Sequence, residues 1–259
     1  MYLTRSVPNQ LTMRHLLSSA LTPCLTLCLA LLFAFQLSAQ TLSYDNNNDG
    51  CVNLDDLLNV LSEFGLCSAF ECGVQVPHDG YYYSTVQIGG QCWFSENCRY
   101  LPEVSPSSQG SETDPYYYVY DYQGTDVEAA KGTLNYLTYG VLYNWPAVMT
   151  EDICPSGWHI PSDEEFTDLT DFLGGESVAG GKMKDNIQWD GTNSSGWTGL
   201  PGGGRYSGGF GSLGNYGGWW SASESGSYSW RRRLSNYGGD VFRDDYYRDN
   251  GFSARCVRD

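Results

Sequence analysis

Short runs of alternating apolar and polar residues, separated by glycine, dominate the chain from Val74 onward. Residues 82–88 alternate as a strand does, Gly89 and Gly90 supply a turn, and residues 91–94 resume the pattern. This arrangement predicts a β-hairpin. Further strands are predicted at 116–122, 228–234, 239–243 and 251–257.

One helix is predicted directly after Pro161. Ser162 and Glu165 have the spacing of a capping box, and Gly174 and Gly175 end the helical pattern. The acidic residues of its first turn lie where the helix dipole favours negative charge, so we attribute them to capping and not to catalysis. The predicted buried face consists of Phe166, Leu169, Phe172 and Leu173.

The first 39 residues have the pattern of a secretory signal peptide. Arg5 and Arg14 precede an apolar stretch at residues 21–37, and small residues end it at Ala39. A transmembrane anchor is the alternative, but Pro23 interrupts the stretch, which is short for a span of about 20 residues. We therefore predict a secreted or cell-surface protein with no membrane span, whose mature chain begins at Gln40.

The formal charge is −16, and removal of the two signal arginines makes it more negative by two. Such a surface repels nucleic acid and anionic membranes, which we exclude as partners. It also favours hard cations such as calcium.

A calcium site is predicted within residues 43–66. The loop that begins at Asp45 has oxygen-bearing side chains at EF-hand spacing and a glycine, Gly50, at the sharp turn. Cys51 would contribute its backbone carbonyl. The predicted ligands are Asp45, Asn47, Asp49, Cys51, Asn53 and Asp56.

This loop leads into an amphipathic helix, and together they resemble one half of a type I dockerin module. A dockerin has two such repeats, and the second is not found in this sequence. The single repeat argues against cohesin docking and favours a structural calcium site.

Seven cysteines follow the signal segment, and export makes disulfides the default interpretation. Cys154 and Cys256 flank the largest part of the domain and are predicted to form a bridge. Cys92 and Cys98 are close enough in sequence to pair locally. The remaining cysteines, Cys51, Cys67 and Cys72, then leave one thiol unpaired.

Several motifs occur in an order that resembles a known family. The sequence contains, in order, QCWFSEN (91–97), GVLYNWPA (140–147), CPSGWHIPSDEEF (154–166), LPGGGR (200–205), GGWWSASE (217–224), SWRRRLS (229–235) and GFSARCVRD (251–259). Residues 74–259 therefore resemble the Fibrobacter succinogenes major paralogous domain. This resemblance implies an exported domain of Bacteroidetes-like bacteria and supplies no catalytic residues.

The same order of motifs is similar, more loosely, to the fold of C-type lectins and of the formylglycine-generating enzyme. That resemblance implies an α+β domain with short twisted strands, few helices and long loops pinned by disulfides. The lectin motifs that bind calcium are missing, so the lectin calcium site is not carried over.

We expect a noncatalytic binding module, with polysaccharide as the ligand class, because aromatic residues are 15% of the chain and stack on sugar rings. Adjacent strand residues point to opposite faces, so at most one of Trp219 and Trp220 is expected to be exposed. The predicted ligand-binding residues are Trp219, Trp220, Trp230, Arg232, Tyr237, Asp244 and Asp245.

Two other functions are compatible with the sequence. A structural or adhesive surface protein would need no glycan pocket and would contact another surface protein. A glycoside-processing enzyme would need two carboxylates, such as Asp244 and Asp245, facing each other across a cleft.

Overall fold

The structure is a computed structural model that describes residues 70–259. The predicted alternation produces short strands separated by turns, many of which contain a glycine with positive φ. The strands are β1 (Val76–His78), β2 (Tyr81–Tyr83), β3 (Thr85–Ile88), β4 (Gln91–Phe94), β5 (Tyr117–Tyr118), β6 (Leu142–Tyr143), β7 (Gly202–Tyr206), β8 (Gly209–Leu213), β9 (Tyr216–Ser225), β10 (Tyr228–Ser235), β11 (Val241–Tyr247) and β12 (Val257–Arg258).

The helices are short and lie mostly before the glycine-rich strands. They are α1 (Val127–Lys131), α2 (Leu134–Tyr139), α3 (Trp145–Val148), α4 (Asp163–Phe172) and α5 (Glu176–Met183). With mainly antiparallel strands and separate helices, the domain is α+β, as the sequence predicted. Among the described residues, no helix combines the length and the apolarity needed to cross a membrane.

The largest sheet has the strand order β11-β10-β9-β7-β8, and a second sheet has the order β12-β4-β3. The β3–β4 hairpin forms as predicted, with Thr85 opposite Phe94. Between the two sheets lies a hydrophobic core in which Trp93, Phe166 and Trp219 are fully buried. This core fixes the central strands of the large sheet and leaves part of the β10–β11 hairpin outside it.

Other predicted strands have different limits. The strand predicted at 116–122 is restricted to β5, and the one predicted at 239–243 begins at Val241 and extends to Tyr247. Residues 251–253 make only isolated bridges, before β12 ends the domain. The alternation of apolar and polar residues located these segments, and pairing with neighbouring strands determined where each strand begins and ends.

Helix α4 confirms the predicted capping box. The Glu165 amide donates to Ser162 Oγ at 3.1 Å, and the Ser162 amide donates to Glu165 Oε2 at 2.6 Å. Phe166 and Leu169 are buried, but Phe172 is 66% exposed, so its predicted burial was wrong. Because each helical residue turns by about 100°, Phe172 points away from the face that Leu173 shares with the core.

Helix α5 was not predicted, since it contains two glycines and lacks an apolar stripe. Gly180 is required there, because a Cβ atom would lie 2.6 Å from the carbonyl oxygen of Asp240. The helix therefore packs directly against the backbone of the loop that precedes β11.

Two disulfides pin the domain. Cys154 is bonded to Cys256, as predicted, and Cys72 is bonded to Cys92. The predicted Cys92–Cys98 pair was wrong. Cys92 lies on β4, close to the chain that precedes β1, whereas Cys98 is buried as a free thiol beside Cys256.

Arg255 is a fully buried cation at the centre of the fold. Its guanidinium lies 3.8 Å from the ring centroid of Trp197 and donates to the carbonyl oxygens of Trp197 and Thr198 and to Asn97 Oδ1. Burial lowers its pKa to about 9. The side chain thereby ties the C-terminal segment to the chain after β4 and to the chain before β7.

Candidate functional site

The β10–β11 hairpin has two different faces. Its register sets Tyr228 opposite Tyr247, Trp230 opposite Asp245 and Arg232 opposite Arg243. Directly opposed residues in an antiparallel pair lie on the same face, so all six side chains belong to one face. Helix α4 covers this face at its Arg232 end and leaves the Tyr228 end open.

Asp163, the first residue of α4, connects the helix to the hairpin. Its carboxylate accepts hydrogen bonds from Arg232 Nη1 at 2.5 Å and from Arg243 Nη2 at 2.8 Å. Burial by itself would raise the pKa of Asp163, but the hydrogen bonds from Arg243 and Arg232 outweigh it and lower the pKa. Arg232 is buried and Arg243 is exposed, so Asp163 marks the boundary between the core and the open end of the hairpin.

An irregularity in β9 keeps that open end free. The β9–β10 register shifts between Ser229 and Arg231, so Trp230 has no direct partner on β9. There β9 bends toward the start of α4, with the Ala222 amide donating to the Pro161 carbonyl at 2.8 Å. Bulges of this kind redirect side chains next to functional sites.

The side chains at the open end form a continuous surface, which we call the hairpin platform. Arg243 stacks on Trp230 at 3.5 Å from the ring centroid, and the rings of Tyr228 and Tyr247 meet edge to face at 4.9 Å. Tyr247 is 53% exposed, whereas Tyr228 and Trp230 are half-buried. The platform consists of Ser225, Tyr228, Trp230, Arg243, Asp245 and Tyr247.

Polar groups are held among these rings. Ser225 Oγ donates to Asp245 Oδ2 at 2.7 Å, which fixes the carboxylate beside Trp230. Arg243 is similarly fixed by Asp163, since Nε and Nη2 both bond to the carboxylate. A half-exposed aromatic surface with an anchored acid and an anchored guanidinium can stack on an apolar sugar face while it hydrogen-bonds the hydroxyls around it.

Of the predicted ligand-binding residues, the structure brings Trp230 and Asp245 together on the platform. Three others were wrong, because Trp219, Trp220 and Arg232 are buried. Both faces of β9 are covered, so neither tryptophan reaches solvent. Trp219 donates to Asn97 Oδ1 at 2.8 Å, and Trp220 donates to the Tyr143 carbonyl at 2.8 Å on the opposite face.

The remaining two predicted residues lie elsewhere. Asp244 is on the opposite face of the hairpin, where it accepts hydrogen bonds from Arg231 and Arg233. Its carboxylate and that of Asp245 therefore do not face each other across a cleft. Tyr237 is 71% exposed, but it lies in the turn at the other end of the hairpin.

Four platform residues, Ser225, Tyr228, Arg243 and Tyr247, were missed from the sequence. Tyr228 has the same period-two spacing as Trp230, and Arg243, Asp245 and Tyr247 alternate in the same way on β11. That alternation can be seen in the sequence. The sequence does not show the pairing register or the part of this face that α4 covers, and these decide which residues are open to solvent.

The predicted calcium ligands at residues 45–56 lie outside the described residues. Within residues 70–259, His159, Glu165 and Asp259 are the group whose ligand atoms come close enough to hold a metal ion, all within 4.8 Å of one another. Burial would raise the pKa of Glu165, but the Ser162 amide and His159, which contacts Oε1 at 2.5 Å, lower it. Glu165 is thus already engaged in capping α4.

No curated protein and no solved structure matches this chain. The Fibrobacter succinogenes major domain matches residues 86–258, which is well over half of the chain. The match spans the five-stranded sheet, nearly all of the three-stranded sheet, α4 and the complete platform. The chain therefore belongs to the Fibrobacter succinogenes major domain family, as the order of its motifs predicted.

Proposed function

We propose that this protein is a secreted or cell-surface, noncatalytic module that binds polysaccharide through the hairpin platform. The observation that carries the proposal is the clustering of Tyr228, Trp230 and Tyr247 around an anchored carboxylate at the open end of the hairpin. Aromatic rings supply apolar contact area at small entropic cost, and the polar groups supply direction.

Export is supported by two independent features. The first is the signal-like segment at residues 1–39, and the second is the pair of disulfides, which persist in oxidising compartments. The proposed fold is C-type-lectin-like or formylglycine-generating-enzyme-like. Short strands, few helices and disulfide-pinned loops support it, as the resemblance implies.

The proposed cofactor is a calcium ion in the loop at residues 45–56. Its role is structural, because a single dockerin-like repeat lacks the second repeat of a cohesin-binding module. The alternative function is a structural or adhesive surface protein, in which the platform would contact another protein and not a glycan.

A polysaccharide and glycan panel tests the proposal. The chain, purified with its disulfides intact, is assayed in calcium and in chelator, beside a Trp230→Ala/Tyr247→Ala variant. We expect saturable binding by the wild type and at least a tenfold loss in the double variant, with circular dichroism unchanged. Chelation should lower the melting temperature and leave binding in place.

Other outcomes separate the alternatives. Loss of binding in chelator would place calcium in the binding site. No binding across the panel, with calcium still raising the melting temperature, would reject polysaccharide and favour the adhesive alternative. Equal binding by the double variant would move the site away from the platform.

A further inference from the structure

Three sulfur atoms lie together in the core. Cys98 is a free, fully buried thiol, and its Sγ lies 3.5 Å from Sγ of Cys256, which is bonded to Cys154. The second disulfide, between Cys72 and Cys92, does not take part in this cluster. The Cys154–Cys256 bridge links its two chain segments without the help of a third sulfur, so the bridge does not explain the position of Cys98.

The backbone holds Cys98 in this position. Its amide donates to the Ala254 carbonyl at 2.9 Å, and its carbonyl accepts from the Val141 amide at 3.2 Å. Ala254 is two residues from Cys256, so the contact between the two sulfurs is built into the pairing of these segments. It does not depend on the rotamer of an exposed side chain.

We propose that Cys98 exchanges with the Cys154–Cys256 disulfide, and that Cys154 is thereby the site at which this domain forms mixed disulfides with external disulfide compounds. In the first step the Cys98 thiolate attacks Sγ of Cys256. The Cys98–Cys256 bond forms, the Cys154–Cys256 bond breaks, and Cys154 leaves as a thiolate. No electrons are gained or lost overall.

In the second step the Cys154 thiolate attacks an external disulfide. A mixed disulfide forms on Cys154, and one external thiol is released as the leaving group. The oxidant is that disulfide compound, which an oxidising extracellular environment supplies. The domain keeps an internal bridge throughout, because Cys98–Cys256 replaces Cys154–Cys256.

Accessibility selects Cys154 as the outer sulfur. Cys154 is 9% exposed, whereas Cys98 and Cys256 are 0% exposed. Cys154 is also followed by an exposed turn at Ser156 and Gly157, while Cys256 is fully buried and its carbonyl accepts from the Phe94 amide of β4 at 3.0 Å. An external reagent therefore reaches the cluster only through Cys154.

The exchange is slow at neutral pH, because the thiolate is the nucleophile. Burial raises the pKa of Cys98 to about 12, although the Arg255 guanidinium opposes this. The rate should therefore rise by about tenfold for each unit of pH between pH 7 and 10.

Peptide mapping after treatment with glutathione disulfide tests the proposal. The native chain is incubated at several pH values, quenched in acid and digested without reduction. We expect glutathione on Cys154, together with a Cys98–Cys256 linked peptide, at equal yields and with the predicted pH dependence. Digestion after glutamate separates Cys98 from Cys51 and Cys67, because Glu63, Glu71 and Glu96 lie between these cysteines.

A Cys98→Ser variant is the matched control, and it should keep the Cys154–Cys256 bridge and gain no glutathione at Cys154. Three results would overturn the proposal. They are glutathione on Cys98 with the original bridge intact, modification of Cys154 in the Cys98→Ser variant, and no change at any of the three cysteines at pH 10. None of them bears on the platform, so failure here would leave the polysaccharide proposal standing.

Discussion

Two of the arginine–tryptophan stacks in the described part of the chain have opposite surroundings. In the core, Arg255 stacks on Trp197, is fully buried, and is satisfied by carbonyl oxygens and an amide. On the platform, Arg243 stacks on Trp230, remains exposed, and is satisfied by the Asp163 carboxylate. The same pair of residue types therefore joins three chain segments in one place and forms an open surface in the other.

The difference follows from what covers the ring. Trp197 is enclosed by Trp93 and Trp219, which meet it edge to face at 6.4 and 4.7 Å. Trp230 has no direct partner on β9, and it lies beyond the N-terminal end of α4. An arginine–tryptophan pair therefore does not indicate function by itself, and its neighbours determine its role.

Loss of the buried stack should have the largest effect. Arg255→Met leaves the carbonyl oxygens of Trp197 and Thr198 without donors in the core and removes one of the donors to Asn97 Oδ1, which should lower the free energy of unfolding by about 3–5 kcal/mol. Arg243→Met should cost at most about 1 kcal/mol, because its ion pair is partly exposed. Urea unfolding of both variants measures the two losses in free energy of unfolding, and equal losses would show that the buried stack is no more important for stability than the exposed one.

Removal of the Asp163 carboxylate should have an intermediate effect on stability. Asp163→Asn leaves the buried Arg232 without its ion-pair partner, and we expect a loss of about 2–3 kcal/mol at neutral pH. The pKa of Asp163 is lowered from 3.8 in the folded state, so its contribution is present above that value and is lost as the pH falls through the folded pKa.

The gap in stability between wild type and Asp163→Asn should therefore be constant above about pH 5 and should narrow below about pH 4. Urea unfolding at a series of pH values measures the gap. A gap that stays constant down to pH 2 would show that the carboxylate charge is not what stabilises this boundary.

Truncation at the platform should have the smallest effect on stability. Tyr247→Ala removes a ring that is 53% exposed, and we expect a change within about 0.5 kcal/mol. Trp219→Ala, in contrast, should cost about 3–5 kcal/mol, since it empties a core site. Thermal unfolding monitored by circular dichroism separates the two, and a large loss for Tyr247→Ala would mean that the platform is structural.

The sequence predicted local features well. The capping box of α4 and the β3–β4 hairpin depend on residues within a few positions of one another, and both are present. The family was also predicted, because its motifs are several and occur in order, and the Cys154–Cys256 bridge was predicted because the two cysteines flank the largest part of the domain. Helix α5 was missed, since Gly180 is explained only by the distant Asp240 backbone against which it packs.

The candidate site was predicted in part. Trp230 and Asp245 were identified from residue type, but residue type also selected Trp219 and Trp220, which a second layer of chain covers. Tertiary packing decides whether a strand is buried on one face or on both, and the alternation of residues along a strand does not reveal it. The calcium ligands at residues 45–56 remain a prediction.

We propose that polysaccharide binds at the open end of the hairpin and not at its turn. Affinity electrophoresis in gels that contain each polysaccharide of the panel tests it, with wild type, Tyr228→Ala/Tyr247→Ala and Tyr237→Ala compared side by side. We predict that at least one polysaccharide retards the wild type and Tyr237→Ala equally and fails to retard the double variant. Retardation lost only in Tyr237→Ala would place the site at the turn, and no retardation of the wild type in any gel would show that the platform does not bind these polysaccharides.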